Sequence, residues 1–345
     1  MTSSFGEKRC RKNLPLAAKN KVQFKPQSEF GEHCLWHGAL LNDVNVDLFG
    51  THDIGGGWTL RPATQTEHNE RQITSTLEEW AQRRGSSLPR QLKPQLIPPA
   101  TTASGVISWD TSRLMVVEAA ENVAISSFGL TNAFAICDAE FRVGVYFGAG
   151  CWQTDWLKYL GMGIRSPLGE LFDDRPLPSL ENLDDLRDTV AACANPIPDS
   201  ISNAIGLFIS LDHMPDYALM KHLGYFTVIE SLLSHAPSAN ESADSIRRQL
   251  ERNLILIDHR LAHSGRSLGL SDFDAKPSTV IGKLYSYRSA IAHGSPIKKP
   301  LKQLVQLMPE KPTNLILWAN DWLRKLVRRV LFAAVSEPEL VTDLK

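Results

Sequence analysis

The order of hydrophobic and polar positions changes character about halfway along this chain of 345 residues. Up to about Leu180 the apolar residues come in short, mixed stretches. Val106–Trp109, Arg113–Glu118 and Phe134–Phe147 read as strands. Within the last, Phe141, Val143, Val145 and Phe147 alternate with Arg142, Gly144 and Tyr146. A period of two places one set on a buried sheet face and the other outside. Helical spacing of Ile73, Leu77 and Trp80 predicts a helix over Ile73–Arg84, stopped by Gly85, and a short helix is predicted at Trp152–Leu160. Gly55-Gly56-Gly57 and the stretch from Pro89 to Pro99 read as loops or linkers.

Beyond a proline- and acid-rich linker at 175–182 the period becomes helical. Leu183–Ala194 is a short helix, and Pro196, Pro198 and Asp199 break the chain before Ile201. Asp216 is expected to cap a helix running to Ser234 with Leu219, Leu223, Phe226 and Leu233 inward. Ser242 or Asp244 would cap the next, which carries Ile246, Leu250, Leu254, Ile257 and Leu261 on one face. A third spans Ser278–His293 on Val280, Leu284, Tyr287 and Ile291. A fourth spans Asn314–Ala334 on Leu315, Trp318, Trp322, Leu326 and Val330. Four amphipathic helices with modest loops predict a bundle. The expected plan is therefore a flexible basic N-terminus (1–28), an α+β domain to which the pattern assigns no role (29–180), an all-α helical bundle (196–336) and a tail (337–345).

Composition adds that 43% of residues are hydrophobic and 22% charged, enough apolar material for a packed core. No apolar run of spanning length and no charged-then-apolar leader stand out, so a cytoplasmic location without a membrane partner is expected. Five scattered cysteines without a CxxC pair read as reduced thiols. His33, Cys34 and His37 crowd together, but a zinc site takes about four placed ligands. No second cluster supplies the rest, so neither a metal nor another cofactor is expected.

The net charge of −1 hides an asymmetry. Residues 1–25 carry seven Lys/Arg against Glu7, a surplus of six, and residues 276–329 carry eleven against Glu310 and Asp321, a surplus of nine. Residues 170–200 hold eight acids against Arg175 and Arg187. Basic blocks of this size suit a polyanion, although solvated helix faces alone can supply them.

The third predicted helix ends Leu284-Tyr-Ser-Tyr-Arg288-Ser-Ala-Ile-Ala-His293-Gly294. A guanidinium stays charged and binds phosphate oxygens in a planar fork, while an imidazole accepts or donates a proton near neutral pH. Phosphodiester cleavage uses both: a group that moves the protons of the attacking and leaving oxygens, and one that stabilises charge on the phosphate. Residues five apart on a helix differ by about 140° around its axis, so Arg288 and His293 do not share one narrow face. Glu230 falls inside an apolar stripe and needs a partner, for which Arg288 or His293 is the candidate.

On these residues the chain resembles the HEPN superfamily, most closely its ApeA-like branch. That branch carries an Arg-x4-6-His motif on the third helix of a bundle. It also has an upstream segment similar to Phe226-Thr-Val-Ile-Glu230-Ser-Leu-Leu233. The resemblance covers about 200–335. It implies a metal-independent endoribonuclease that leaves a 2′,3′-cyclic phosphate, in the setting of an antiphage or toxin-like effector released by a trigger ligand or protein at its N-terminal half. It also implies a homodimer, with two arginines and two histidines around one phosphate. Ser289 stands where active members often carry Asn, Asp or His.

The candidate catalytic residues are thus Arg288, His293 and Glu230. Tyr285, Ser289, Lys298, Lys299, Lys302, Arg324 and Arg328 are the candidates for RNA contact, by base stacking, hydrogen bonding or phosphate attraction. The competing reading is a catalytically silent bundle that binds RNA, a nucleotide or a partner protein.

Overall fold

The computed structural model describes residues 37–41, 46–62, 115–119, 127–138, 143–147, 179–211, 214–235, 245–309 and 311–344. The expectations for the basic N-terminus, His33 and Cys34, Ile73–Arg84, Pro89–Pro99, Val106–Trp109, Trp152–Leu160, Ser242 and Asp244 lie outside these residues.

Five short strands form one antiparallel sheet: β1 (His37–Leu41), β2 (His52–Gly55), β3 (Trp58–Pro62), β4 (Met115–Ala119) and β5 (Val143–Phe147), in the order β2-β3-β4-β1-β5. Gly55, Gly56 and Gly57, all at positive φ, make the β2–β3 hairpin turn. Arg61 of β3 reaches the Glu118 carboxylate of β4 at 2.7 Å, diagonally across the pairing. The long strand expected over Phe134–Phe147 is shorter. Its start belongs to helix α1 (Ser127–Ile136), and only Val143–Phe147 is extended. Leu130, Ala133, Phe134 and Cys137 are buried at spacings of three and four, so the apolar run around Phe134 follows a helical period. Short apolar runs do not separate helix from strand by themselves.

Helix α2 (Leu183–Cys193) buries Leu183, Leu186, Val190 and Cys193 and carries Asp184 and Asp185 in its first turn, where acids suit the macrodipole. Asp185 accepts from the Cys137 thiol and the Asp138 amide, and Arg187 donates to the Asp53 carbonyl at 2.8 Å. Helices α1 and α2 thus join sheet to bundle. The buried apolar residues of both belong to one continuous core running from Leu48 and Ile54 to Val335 and Val341.

The bundle comprises α3 (Asp199–Leu211), α4 (Leu219–Leu233), α5 (Ile246–Ala262), α6 (Pro277–Ala292), α7 (Lys298–Val305), α8 (Leu315–Ser336) and α9 (Pro338–Asp343). The described residues are mostly helical, with a small sheet in the N-terminal part. Helix α4 is central. Lys221, His222, Tyr225, Phe226, Val228, Ile229, Leu232 and Leu233 are buried around most of its circumference, whereas Leu219 and Leu223 are only half-buried. Gly224 lets α3 approach, because a Cβ there would meet Leu211 Cδ2 at 2.3 Å.

Asp216 does not cap α4. Ala218 occupies the N-cap, and the Asp216 carboxylate pairs with buried Lys221 at 2.5 Å. Asn314 does cap α8, accepting from the Leu317 amide. Three helices fall where none was expected. Past the break at Pro196 and Pro198 the chain forms α3, which begins at Asp199 itself and buries Ile201, Ala204, Ile205, Phe208 and Leu211. The basic run after the motif is α7, which buries Leu301, Leu304 and Val305, and the tail is α9, which buries Val341.

Candidate functional site: a buried Arg–Glu pair and a capping histidine

Helix α6 begins with Pro277 in its first turn, where the missing N–H costs nothing. It ends in a Schellman motif: His293 is the C-cap, Gly294 follows at φ 63°, the Gly294 amide donates to Ile291 O and the Ser295 amide to Ala290 O. The sequence His-Gly sets this stop, since glycine alone adopts the left-handed turn without steric cost. His293 is consequently exposed, beside the carbonyl end of the helix, and its ring meets no hydrogen-bond partner among the described residues.

Five residues earlier, Arg288 faces α4. Its Nη2 donates to Glu230 Oε2 at 2.9 Å, with both side chains largely withdrawn from solvent. Arg288 Cζ lies 5.7 Å from the centre of the Tyr285 ring, which in turn meets Phe226 edge-on at 6.2 Å. Two atoms of the pair, Glu230 Oε1 and Arg288 Nε, are buried without a partner among the described residues. Burial pushes the Glu230 carboxyl above the usual range, and the Arg288 charge and hydrogen bond pull it only part of the way back.

The structure therefore brings together Glu230, Arg288 and Tyr285 and leaves His293 apart. Ideal helix geometry separates Arg288 and His293 by about 140° around the axis and about 7.5 Å along it. Ser289 is half-buried, and its carbonyl accepts from the His293 amide. Lys298, Lys299 and Lys302 are exposed on α7. Arg324 and Arg328 are not on a phosphate-facing surface. They are 3% and 5% exposed, Arg324 paired with Asp321 at 2.6 Å and Arg328 donating to the Ala135 carbonyl at 3.2 Å. Together with Arg329, which grips Asp138 at 3.0 Å, Arg328 fastens α1 to α8. Three of the four cations of α8 turn to partners in the fold, while Lys325 stays exposed beside Asp321. Burial raises the Asp321 carboxyl, but Arg324 and Lys325 together hold it below the usual range.

A second polar cluster lies inside the bundle. His222 of α4 is fully buried, 4.5 Å from the Tyr287 ring in an edge-on contact and 5.3 Å from Phe226. Among the described residues neither ring nitrogen of His222 nor the Tyr287 hydroxyl meets a hydrogen-bond partner of good geometry. Burial lowers the His222 pKa to about 3, with the neighbouring Asn320 amide opposing weakly. Asn320 itself donates to the Asp216 and Ala218 carbonyls and so ties the start of α4 to α8. The spacing His222, Phe226, Glu230, with polar groups at both ends of one helical stripe, was the available signal for this cluster.

Among the described residues no three His, Cys, Asp or Glu side chains are placed to hold a metal ion, and no helix is long and apolar enough to cross a membrane. No protein-family model, curated protein or solved structure matches this chain.

Proposed function

We propose that the chain is a HEPN-type endoribonuclease that cleaves RNA without a metal ion, acting as a homodimer in an antiphage or toxin-like role. The observation that carries the reading is the Arg288–Glu230 pair. Glu230 holds one corner of the guanidinium, and Nη1 makes no bond to protein among the described residues, so it remains for a phosphate oxygen. An arginine oriented in this way stabilises charge developing on a pentacoordinate phosphate.

His293 supplies the proton chemistry. The 2′-oxygen attacks phosphorus as its proton leaves to one imidazole, and the P–O5′ bond breaks as an imidazolium protonates the departing oxygen. The products are a 2′,3′-cyclic phosphate and a 5′-hydroxyl. Both roles call for two histidines, and a second copy supplies the other. Ile291, two residues before His293, packs against a small buried cluster of Tyr287, Leu301 and Ala319, as do Leu219, Leu315 and Ile316. Tyr217, Met220 and Leu317 are exposed beside these positions, at 70%, 61% and 43%. An apolar rim next to the histidine suits a two-fold contact that brings two copies of the motif to one cleft.

A silent RNA-binding module is the second reading. It is favoured by the neutralisation of Arg288 within its own protomer and by the angle to His293. Expression in cells separates the two. Growth arrest and RNA decay should accompany the parent chain and vanish with Arg288→Ala and with His293→Ala. Glu230→Gln should fold normally and lose most of the effect, since the arginine loses its brace. Equal growth with the parent and with both alanine variants, under conditions where the trigger is present, supports the binding module.

A further inference from the structure

One groove outside the motif combines cations with unpaired hydroxyls. It lies between α5 and α6, encloses about 270 Å³, and is lined by Arg247, Glu251, Ser278, Thr279, Gly282, Lys283 and Ser286. Glu251 accepts from Arg247 Nε at 2.8 Å and so fixes the pose of the guanidinium, leaving its terminal nitrogens without a protein partner among the described residues. The Arg247 side chain is half exposed, and its Nη2 would lie 2.5 Å from a Cβ placed on Gly282. The absent side chain at 282 is what lets the guanidinium lie against α6. Lys283 Nζ uses one of its three hydrogens on Gln303 Oε1 at 3.1 Å. The Ser278 and Thr279 hydroxyls are exposed and make no bond among the described residues. Two cations and two free hydroxyls around a small cavity, against one carboxylate already engaged, form a receptor for a phosphate group.

The position of the groove on α6 gives it a direction. At 100° per residue, His293 falls within about 20° of both Gly282 and Ser286 around the helix axis, and about 10 Å beyond Ser286 along it. Arg288 points to the far side of the same helix. We infer that the α5–α6 groove is a phosphate-binding subsite for the RNA strand that His293 acts on. A phosphodiester removed from the scissile one sits on Arg247 and Lys283, and the strand runs along one face of α6 toward the capping histidine. This inference rests on the proposed nuclease reading for the strand's destination but not for its binding. The exposed lysines of α7 extend the same positive surface: Lys283 bonds Gln303 of α7, which places α7 on the Lys283 flank of the groove.

The test uses the full chain carrying His293→Ala, which keeps the strand intact, and a fluorescently labelled single-stranded RNA read by anisotropy. Arg247→Ala and Lys283→Ala should each weaken binding roughly tenfold, the loss expected for one charge-assisted contact. Gly282→Leu should weaken it without changing charge, and Lys311→Ala, an exposed cation on the loop before α8, should leave it unaltered. A melting curve for each variant certifies the fold. If Gly282→Leu does not fold, Arg247→Glu takes its place. Affinities unchanged by Arg247→Ala and Lys283→Ala, or lowered equally by Lys311→Ala, would overturn the subsite. So would a mononucleotide that binds as tightly as the strand, which would make the occupant a free nucleotide. Failure of the nuclease reading is read separately, in cleavage by the parent chain. Binding lost in the groove variants of a chain that never cleaves leaves the subsite standing without the chemistry. Cleavage that depends on His293 with normal binding in the groove variants does the reverse.

Discussion

Acid should weaken this fold through one side chain, His222, and replacing it by phenylalanine should remove that part of the acid response. The ring is fully buried between Tyr287 and Phe226, and burial brings its pKa from 6.5 down to about 3. Above about pH 6.5 the imidazole is neutral in both folded and unfolded chains and contributes no pH dependence. As the pH falls below that value, the unfolded chain takes up a proton that the folded chain refuses, so stability is lost progressively until about pH 3. The slope approaches 1.4 kcal/mol for each pH unit, which amounts to roughly 3 kcal/mol by about pH 4.5. Against a typical domain stability of about 5–15 kcal/mol that is a large fraction. His222→Phe keeps an aromatic ring against Tyr287 and removes the titrating nitrogens. Urea unfolding of parent and variant from about pH 7 to 4.5 should show the difference between them growing in the variant's favour at that slope. Parallel curves would mean that the buried ring accepts its proton without cost, and His222 would then have no part in the acid response.

Two further substitutions test the packing around the site. Gly224→Ala puts a methyl 2.3 Å from Leu211 Cδ2 in a buried contact. It should destabilise by about 1–3 kcal/mol, offset in part by the better helix propensity of alanine, and lower the urea midpoint. Gly294→Ala meets no neighbouring atom but forces a side chain to φ 63°. It should cost about 1 kcal/mol, visible as a lower melting temperature.

The helical half was readable because its apolar stripes are long. Leu250, Leu254, Ile257 and Leu261 of α5, and Val280, Leu284 and Tyr287 of α6, are buried as their spacing requires. That Glu230 needs a partner was likewise implied by an acid in an apolar stripe, with Arg288 and His293 both open; the structure pairs it with Arg288. Three things were not legible. The apolar run around Phe134 was too short to declare its period, so the last turn of helix α1, from Phe134, was read as strand. Helix α4 is buried nearly all round, so no single stripe marks its inner face. The arginines of α8 look from the sequence like a solvated basic face, but Arg324 and Arg328 turn inward to Asp321 and Ala135. Which way a long cationic side chain turns depends on partners far away in the chain, here about 190 residues for Arg328, and no local pattern encodes that.

Arg288 and His293 are proposed to cleave RNA. The most direct test is end-group analysis of a single-stranded RNA incubated with the purified full chain in the presence of a chelator. The expected result is fragments ending in a 2′,3′-cyclic phosphate and beginning with a 5′-hydroxyl. The rate should fall about 10²–10³-fold in Arg288→Ala and by a comparable or larger factor in His293→Ala. Intact RNA after incubation with the dimer and its trigger, or cleavage that both variants retain, would contradict it.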